Sequence, residues 1–193
     1  MKKNRLALHF FKRSAPLVAR DLLGKIISHQ TKEGKLSGMI VETEAYGEND
    51  PASHAFCGPT PRNRVMFGPA GRTYVYFTYG KHHCFNVTTD PTGKAGAVLI
   101  RAAVPLKGIK IMQKKRRTKE LLNLTSGPAK FAQAFGFNRQ HNNLSVLGPK
   151  IIIVDNPGQS FKISRTTRIG VRPEKNPRRW RFYIKENPFI SKK

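Results

Sequence analysis

Four of the eleven acidic residues, Glu42, Glu44, Glu48 and Asp50, fall within nine positions of a chain that carries thirty-six lysines and arginines. A carboxylate that is ionised at neutral pH can take a proton from water as the water attacks, so one of these acids is a candidate general base. Glu42 and Glu44 are two apart in Val41-Glu42-Thr43-Glu44-Ala45-Tyr46. In a strand that spacing points both to one face, near the strand's end. Residues 41–101 also hold Tyr46, Tyr74, Tyr76 and Tyr79, every tyrosine except Tyr183, together with His54 and Arg101. Arg101 lies within the apolar run Val98-Leu99-Ile100-Arg101-Ala102-Ala103-Val104, and an arginine buried there needs an anionic partner, with Glu42 or Glu44 the obvious choice. Rings that line a pocket can sandwich an extruded base, and a ring at a strand tip, as Tyr79 is before Gly80, can fill a gap in a base stack. Each feature has a plainer counterpart: acids in salt bridges, tyrosines in the core, Arg101 in a structural ion pair.

Other chemistries find less support. His54, His82, His83 and Cys84 show no repeated ligand spacing and no Cys-x-x-Cys or His-Glu-x-x-His, so no metal is expected. There is no Walker-type phosphate loop, and Gly68-Pro69-Ala70-Gly71 reads as a turn.

The elements that must position these residues are mostly strands. Ser14-Ala15-Pro16 predicts a helix start with a hydroxyl cap, and Gly24 its stop. Strands are predicted over 25–30 and 36–46, joined by the turn Lys32-Glu33-Gly34-Lys35. With four prolines and four glycines, residues 47–71 form a long irregular loop, and its His54, Phe56, Met66 and Phe67 favour an ordered one. Further strands are predicted over 73–79, 84–89, 97–104, 144–146, 151–154, 161–165 and 181–184. Helices are predicted over 107–119 and from Gly127-Pro128 to Gly136. The result is a single compact α+β domain spanning 1–193, with a largely antiparallel curved sheet and several surrounding helices.

A net charge of +25 seeks a polyanion, and nucleic acid is the commonest one. Basic clusters at 114–119, 178–181 and Lys192-Lys193 suit phosphate contacts. No apolar run reaches membrane-spanning length, the first thirteen residues lack a secretory apolar segment, and two cysteines make no disulfide framework. These features predict an intracellular protein that does not bind membranes.

Several blocks together resemble the alkyladenine (3-methyladenine) DNA glycosylases of the mammalian type, a family with bacterial members. They are Ala19-Arg20-Asp21-Leu22-Leu23-Gly24, the Val41–Tyr46 run, Thr60-Pro61-Arg62-Asn63-Arg64, Tyr74-Val75-Tyr76-Phe77-Thr78-Tyr79-Gly80, Leu99-Ile100-Arg101-Ala102, Gly127-Pro128-Ala129-Lys130, Arg168-Ile169-Gly170-Val171 and Arg181-Phe182-Tyr183-Ile184. The resemblance implies a monofunctional, monomeric enzyme of base excision repair that flips damaged purines from double-stranded DNA and uses no cofactor. It makes Glu44 the base that activates water, Arg101 a residue that positions it, and Ile169 a backbone carbonyl contact to that water. It places Tyr46 on one side of the flipped base and His54 with Tyr76 on the other. Asn86 opposes the amino group of normal guanine, and Tyr79 wedges into the duplex. For a bacterial member, the resemblance implies a cytoplasmic, nucleoid-associated enzyme. Two rivals remain on residues alone: a nucleic-acid binder without catalysis, and a lyase that uses a lysine amine.

Overall fold

The computed structural model describes residues 5–172, 174 and 178–192. Residues 1–4 and Lys193, parts of the basic ends noted above, lie outside the described residues. The organising strand is β2 (Gly34–Gly47), fourteen residues long. Its first half pairs with β1 (Ile26–Thr31), and β1 pairs in turn with β6 (Ile151–Val154). Further along the same edge, residues 42–44 pair with β8 (Arg181–Ile184), which pairs with β7 (Ile163–Thr166). The opposite edge of β2 carries β5 (Gly96–Lys107), then β4 (His82–Thr89) and β3 (Thr73–Thr78). These eight strands form one curled antiparallel sheet. The β2–β5 ladder slips where Val41 and Arg101 each lack a partner across the strands. Such bulges bend a strand and re-aim its side chains.

Four helices cover this sheet: α1 (Leu8–Phe11), α2 (Ala15–Asp21), α3 (Ile109–Arg116) and α4 (Pro128–Phe135). Helix α4 lies on β4 and β5, α2 on β2 and β5, and α3 against α4. Val18, Leu22, Ile40, Phe85, Ile100 and Phe131 belong to one buried cluster between helices and sheet. A smaller cluster of Ala55, Val65, Met66, Tyr74, Ala95 and Ala97 fastens the long loop onto the sheet. That loop includes a 3-10 turn, Arg64–Phe67. No helix among the described residues is long and apolar enough to cross a membrane.

Several sequence expectations are corrected. Ser14 makes no side-chain cap bond; the Ala15 N–H instead donates to the Asp90 carboxylate at 3.1 Å, a cap reaching in from the end of β4. The predicted 107–119 helix forms as Ile109–Arg116, because β5 runs through Lys107 and Gly108 breaks the chain at φ 76°. Residues 144–146 make only an isolated bridge, Ser145 with Arg72, so that strand is absent. The 161–165 strand forms as Ile163–Thr166, and helix α1 was not anticipated.

Period-two alternation then divides the sheet's two faces. Val75, Phe85, Val87, Val98, Ile100 and Ala45 face the helical core. Their neighbours Tyr74, Tyr76, Cys84, Asn86, Leu99 and Glu44 line a cavity. Four strands thus place these residues on one face, and Pro128 at the start of α4 also lines the cavity.

Gly38 tests the closeness of this packing. A Cβ there would lie 2.9 Å from the Val104 carbonyl oxygen and 3.2 Å from the Phe135 ring. We expect Gly38→Ala to lose about 1–3 kcal/mol of stability in urea unfolding through overpacking. An unchanged midpoint would contradict the packing described.

Candidate active site

The cavity has a volume of about 340 Å³, near the small end of the range typical of ligand pockets. Its sheet floor is walled by Ala52, His54 and Met66 from the long loop and by Ile169–Val171 from the segment after β7. Glu44 belongs to the floor, and its carboxylate is held by two hydrogen-bond donors and a guanidinium cation. The Tyr46 hydroxyl donates to Oε2 at 2.9 Å, the Ile169 N–H donates to Oε1 at 2.7 Å, and Arg101 Nη1 lies 3.2 Å from Oε1. These groups cover Glu44 completely. Oε2 takes a single donor and retains lone-pair capacity for another.

Glu42 is different. It accepts from Arg101 Nε at 3.0 Å, Arg181 Nε at 2.8 Å, the Ser191 N–H at 2.6 Å and the Ser191 hydroxyl at 2.8 Å. It does not line the cavity. Of the two acids weighed from the sequence, Glu42 is therefore the structural ion pair and Glu44 the one at the pocket. Burial works against the Arg101 charge, but Glu44 and Glu42 outweigh it and raise its pKa. The arginine stays a cation wedged between them.

The aromatic residues converge as well. His54 and Tyr76 meet edge to face at 4.7 Å, and His54 Nδ1 shares a 2.9 Å hydrogen bond with the Tyr74 hydroxyl. Tyr46 lines the same cavity. Burial, then the charge of Glu44, raises the Tyr46 phenol well above its ordinary pKa, which keeps it a donor. Burial also raises Tyr76, followed by the neighbouring Cys84 thiol. His54 is pushed down by burial and by Arg62, so its ring is neutral at pH 7. The pocket walls are therefore uncharged rings. Asn86 is buried on the floor, and its amide donates to the Tyr74 carbonyl at 2.9 Å.

Tyr79 stands apart at the tip of the β3–β4 hairpin, 85% exposed, with φ 50° followed by Gly80 at φ 63°. A tyrosine in the left-handed region is uncommon and costs about 1–2 kcal/mol. The turn spends that to hold the ring outward at the cavity's rim, beside exposed Lys81 and His82. Among the described residues no group of three or more His, Cys, Asp and Glu could hold a metal, and no lysine lines the cavity.

Sequence reasoning missed the Asp50–Arg168 pair. Both side chains are fully buried; Arg168 Nη2 donates to Asp50 Oδ1 at 2.9 Å, and Nη1 bonds Oδ2 and the Ala45 carbonyl. The Arg168 guanidinium also lies 4.7 Å over the Tyr46 ring. It ties the long loop to the strand and backs the tyrosine. No spacing rule joins positions 118 residues apart; the one available signal was Arg168 standing beside Ile169 in a matching block.

This arrangement has relatives. The profile of the methylpurine-DNA glycosylase (MPG) family matches residues 9–188. The chain belongs to that family. It is a DNA glycosylase, a hydrolase acting on N-glycosyl bonds, with DNA as its substrate. A protein of Carboxydothermus hydrogenoformans is 46% identical over 190 residues, covering 97% of this chain and 99% of its own. One of Prosthecochloris aestuarii is 44% identical over 191 residues, covering 97% and 91%. Both are provisionally named 3-methyladenine DNA glycosylases.

For the glycosylase, Asp50→Ala removes the carboxylate that both Arg168 Nη atoms meet in a buried ion pair. We expect a loss of about 3–5 kcal/mol in denaturant unfolding, together with faster proteolysis within residues 47–71. Stability within 1 kcal/mol of the parent would mean that the pair is not holding the loop.

Proposed function

We propose that the whole chain, residues 1–193, is one monomeric catalytic domain working as a monofunctional glycosylase of base excision repair. It turns damaged purines of the 3-methyladenine, 7-methylguanine, hypoxanthine and ethenoadenine class out of duplex DNA and hydrolyses their N-glycosidic bond with water activated by Glu44. The observation that carries this reading is a single carboxylate, held by two hydrogen-bond donors and the Arg101 cation, on the floor of a pocket walled by neutral aromatic rings. The names of the relatives support the alkylated-purine part of it.

The flipped base lies between Tyr46 and the His54–Tyr76 pair. A purine alkylated at N3 or N7 is cationic, and electron-rich rings with no competing imidazolium charge favour it. Water reaches Oε2 of Glu44 as the Tyr46 hydroxyl gives up its bond, and the Ile169 carbonyl supplies a second contact. As the bond between the base nitrogen and C1′ breaks, its electron pair leaves with the base. The water oxygen bonds to C1′ and its proton passes to Glu44. The same carboxylate stabilises the electron-poor sugar before the bond forms. Arg101 keeps Glu44 aimed, and Asn86 meets the exocyclic group that distinguishes guanine. Damaged pairs unstack at lower cost, so extrusion itself selects lesions, while Tyr79 fills the gap left in the stack.

Glu44→Gln keeps the shape but removes the base. It should abolish release from a hypoxanthine or ethenoadenine duplex while binding stays within about tenfold; loss of both would make Glu44 structural. The parent should yield free base and an alkali-labile abasic site. Immediate strand breakage would instead indicate a lyase, and no product a binder. Tyr79→Ala should weaken capture of a lesion duplex more than binding to undamaged DNA. Equal weakening of both contradicts the wedge.

A further inference from the structure

Arg101 is held on three sides, and two of the holders have no place in the chemistry described above. Its Nη1 meets Glu44, its Nε donates to Glu42, and its Nη2 donates to the Ser191 hydroxyl at 3.1 Å. That hydroxyl simultaneously donates to Glu42 Oε1 at 2.8 Å. A serine hydroxyl has one proton and two lone pairs, so the single group can fill both roles at once. The Ser191 N–H also donates to Glu42 Oε2, and Arg181 donates to Glu42 through Nε and to the Lys192 carbonyl through Nη2. The segment around Ser191 and Lys192 is thus fastened to Arg101, Glu42 and Arg181 without itself lining the cavity.

We propose that Ser191 is a positioning residue of the hydrolytic reaction. With Glu42 and Arg181 it sets the rotation of the Arg101 guanidinium, and through it the aim of Glu44. The physical need is specific. Arg101 occupies a bulge, where no opposing residue fixes its strand position. A guanidinium is a planar fork whose Nη1 bond has direction only if Nε and Nη2 are already committed. Glu42 commits Nε and Ser191 commits Nη2. Without the hydroxyl, Nη2 can turn toward the vacated side, and the Nη1 contact to Glu44 lengthens. Misplacement of a reacting group by about 1 Å can cost a hundredfold in rate. Of the base-binding rings, Tyr46 meets this network through its hydroxyl bond to Glu44; Ser191 and Glu42 do not line the cavity, so lesion affinity is separable from the Ser191 contact.

This inference rests on Glu44 being the general base, and the experiment keeps the two apart. Single-turnover release from an ethenoadenine duplex is measured at saturating protein for the parent, Ser191→Ala, Ser191→Thr and Glu44→Gln. Each rate is normalised to the active fraction titrated with the same duplex, so a partly folded preparation does not count as a slow one. Ser191→Ala should lower the rate about ten- to a hundredfold with lesion-duplex affinity within about twofold. Ser191→Thr, which keeps the hydroxyl, should restore the rate to within about threefold of the parent. The inference is overturned if Ser191→Ala releases base at the parental rate, if rate and affinity fall together, or if threonine gives no rescue. If Glu44→Gln itself releases base normally, the general-base reading fails, whatever Ser191 does.

Discussion

The structure depends on taking three carboxylates out of water next to three arginines. Glu42, Glu44 and Asp50 are all fully buried, and Arg101, Arg181 and Arg168 are nearly so. Moving such an ion out of water costs several kcal/mol even after relaxation, so the arrangement survives only if all the charges are paired. They are. Glu42 takes four donors, Glu44 two donors and the Arg101 cation, and Asp50 a two-pronged guanidinium. Networks of this kind add little to stability compared with apolar packing. What they supply is orientation, and orientation is what a hydrolytic carboxylate needs.

The network also resolves an electrostatic difficulty. Gathering acids on one stretch of a DNA-binding protein ought to repel phosphate. Here the three buried acids are matched one for one by arginines, so the cluster presents no net charge to a nucleic acid. The surplus of +25 carried by the whole chain remains free to attract it. Long-range attraction thus comes from the lysine- and arginine-rich remainder, screened over about 10 Å at 0.1 M salt. The cavity is walled by aromatic rings, where screening matters little. Under the proposed function, steering and catalysis occupy separate parts of the molecule.

The sheet is the positioning device. Because side chains alternate, four adjacent strands give one face to the helices and the other to the cavity, so every residue that holds the core also fixes the angle of a neighbour in the site. The exceptions are informative. Arg101 is aimed by a bulge, and Tyr79 by a strained turn that keeps its ring out in solvent. The loop over residues 47–71 is ordered because the small cluster of Val65, Met66 and Tyr74 and the Asp50–Arg168 pair anchor it from two sides.

Much of this was legible in the residues. Period-two spacing placed Glu42 and Glu44 on one face, the apolar run around Arg101 demanded an anionic partner, and Gly80 marked the tip that carries Tyr79. Local physics governs all of these, because alternation, burial cost and turn chemistry act over a few residues. The isolated bridge at Ser145 and the cap from Asp90 escaped because their partners lie far along the chain. For the same reason the choice between Glu42 and Glu44 could not be made from spacing or composition, and only the family resemblance pointed to Glu44. Both have the same spacing and the same nearby cation; what separates them is β8 and Ser191 folding across one and the cavity opening beside the other. Composition and short-range pattern determined which groups would be present and which way they would face. Only the tertiary structure decided which charges would neutralise each other and which carboxylate would border the cavity, because an ion's surroundings depend on everything within a few ångströms of it, and most of that comes from elsewhere in the chain.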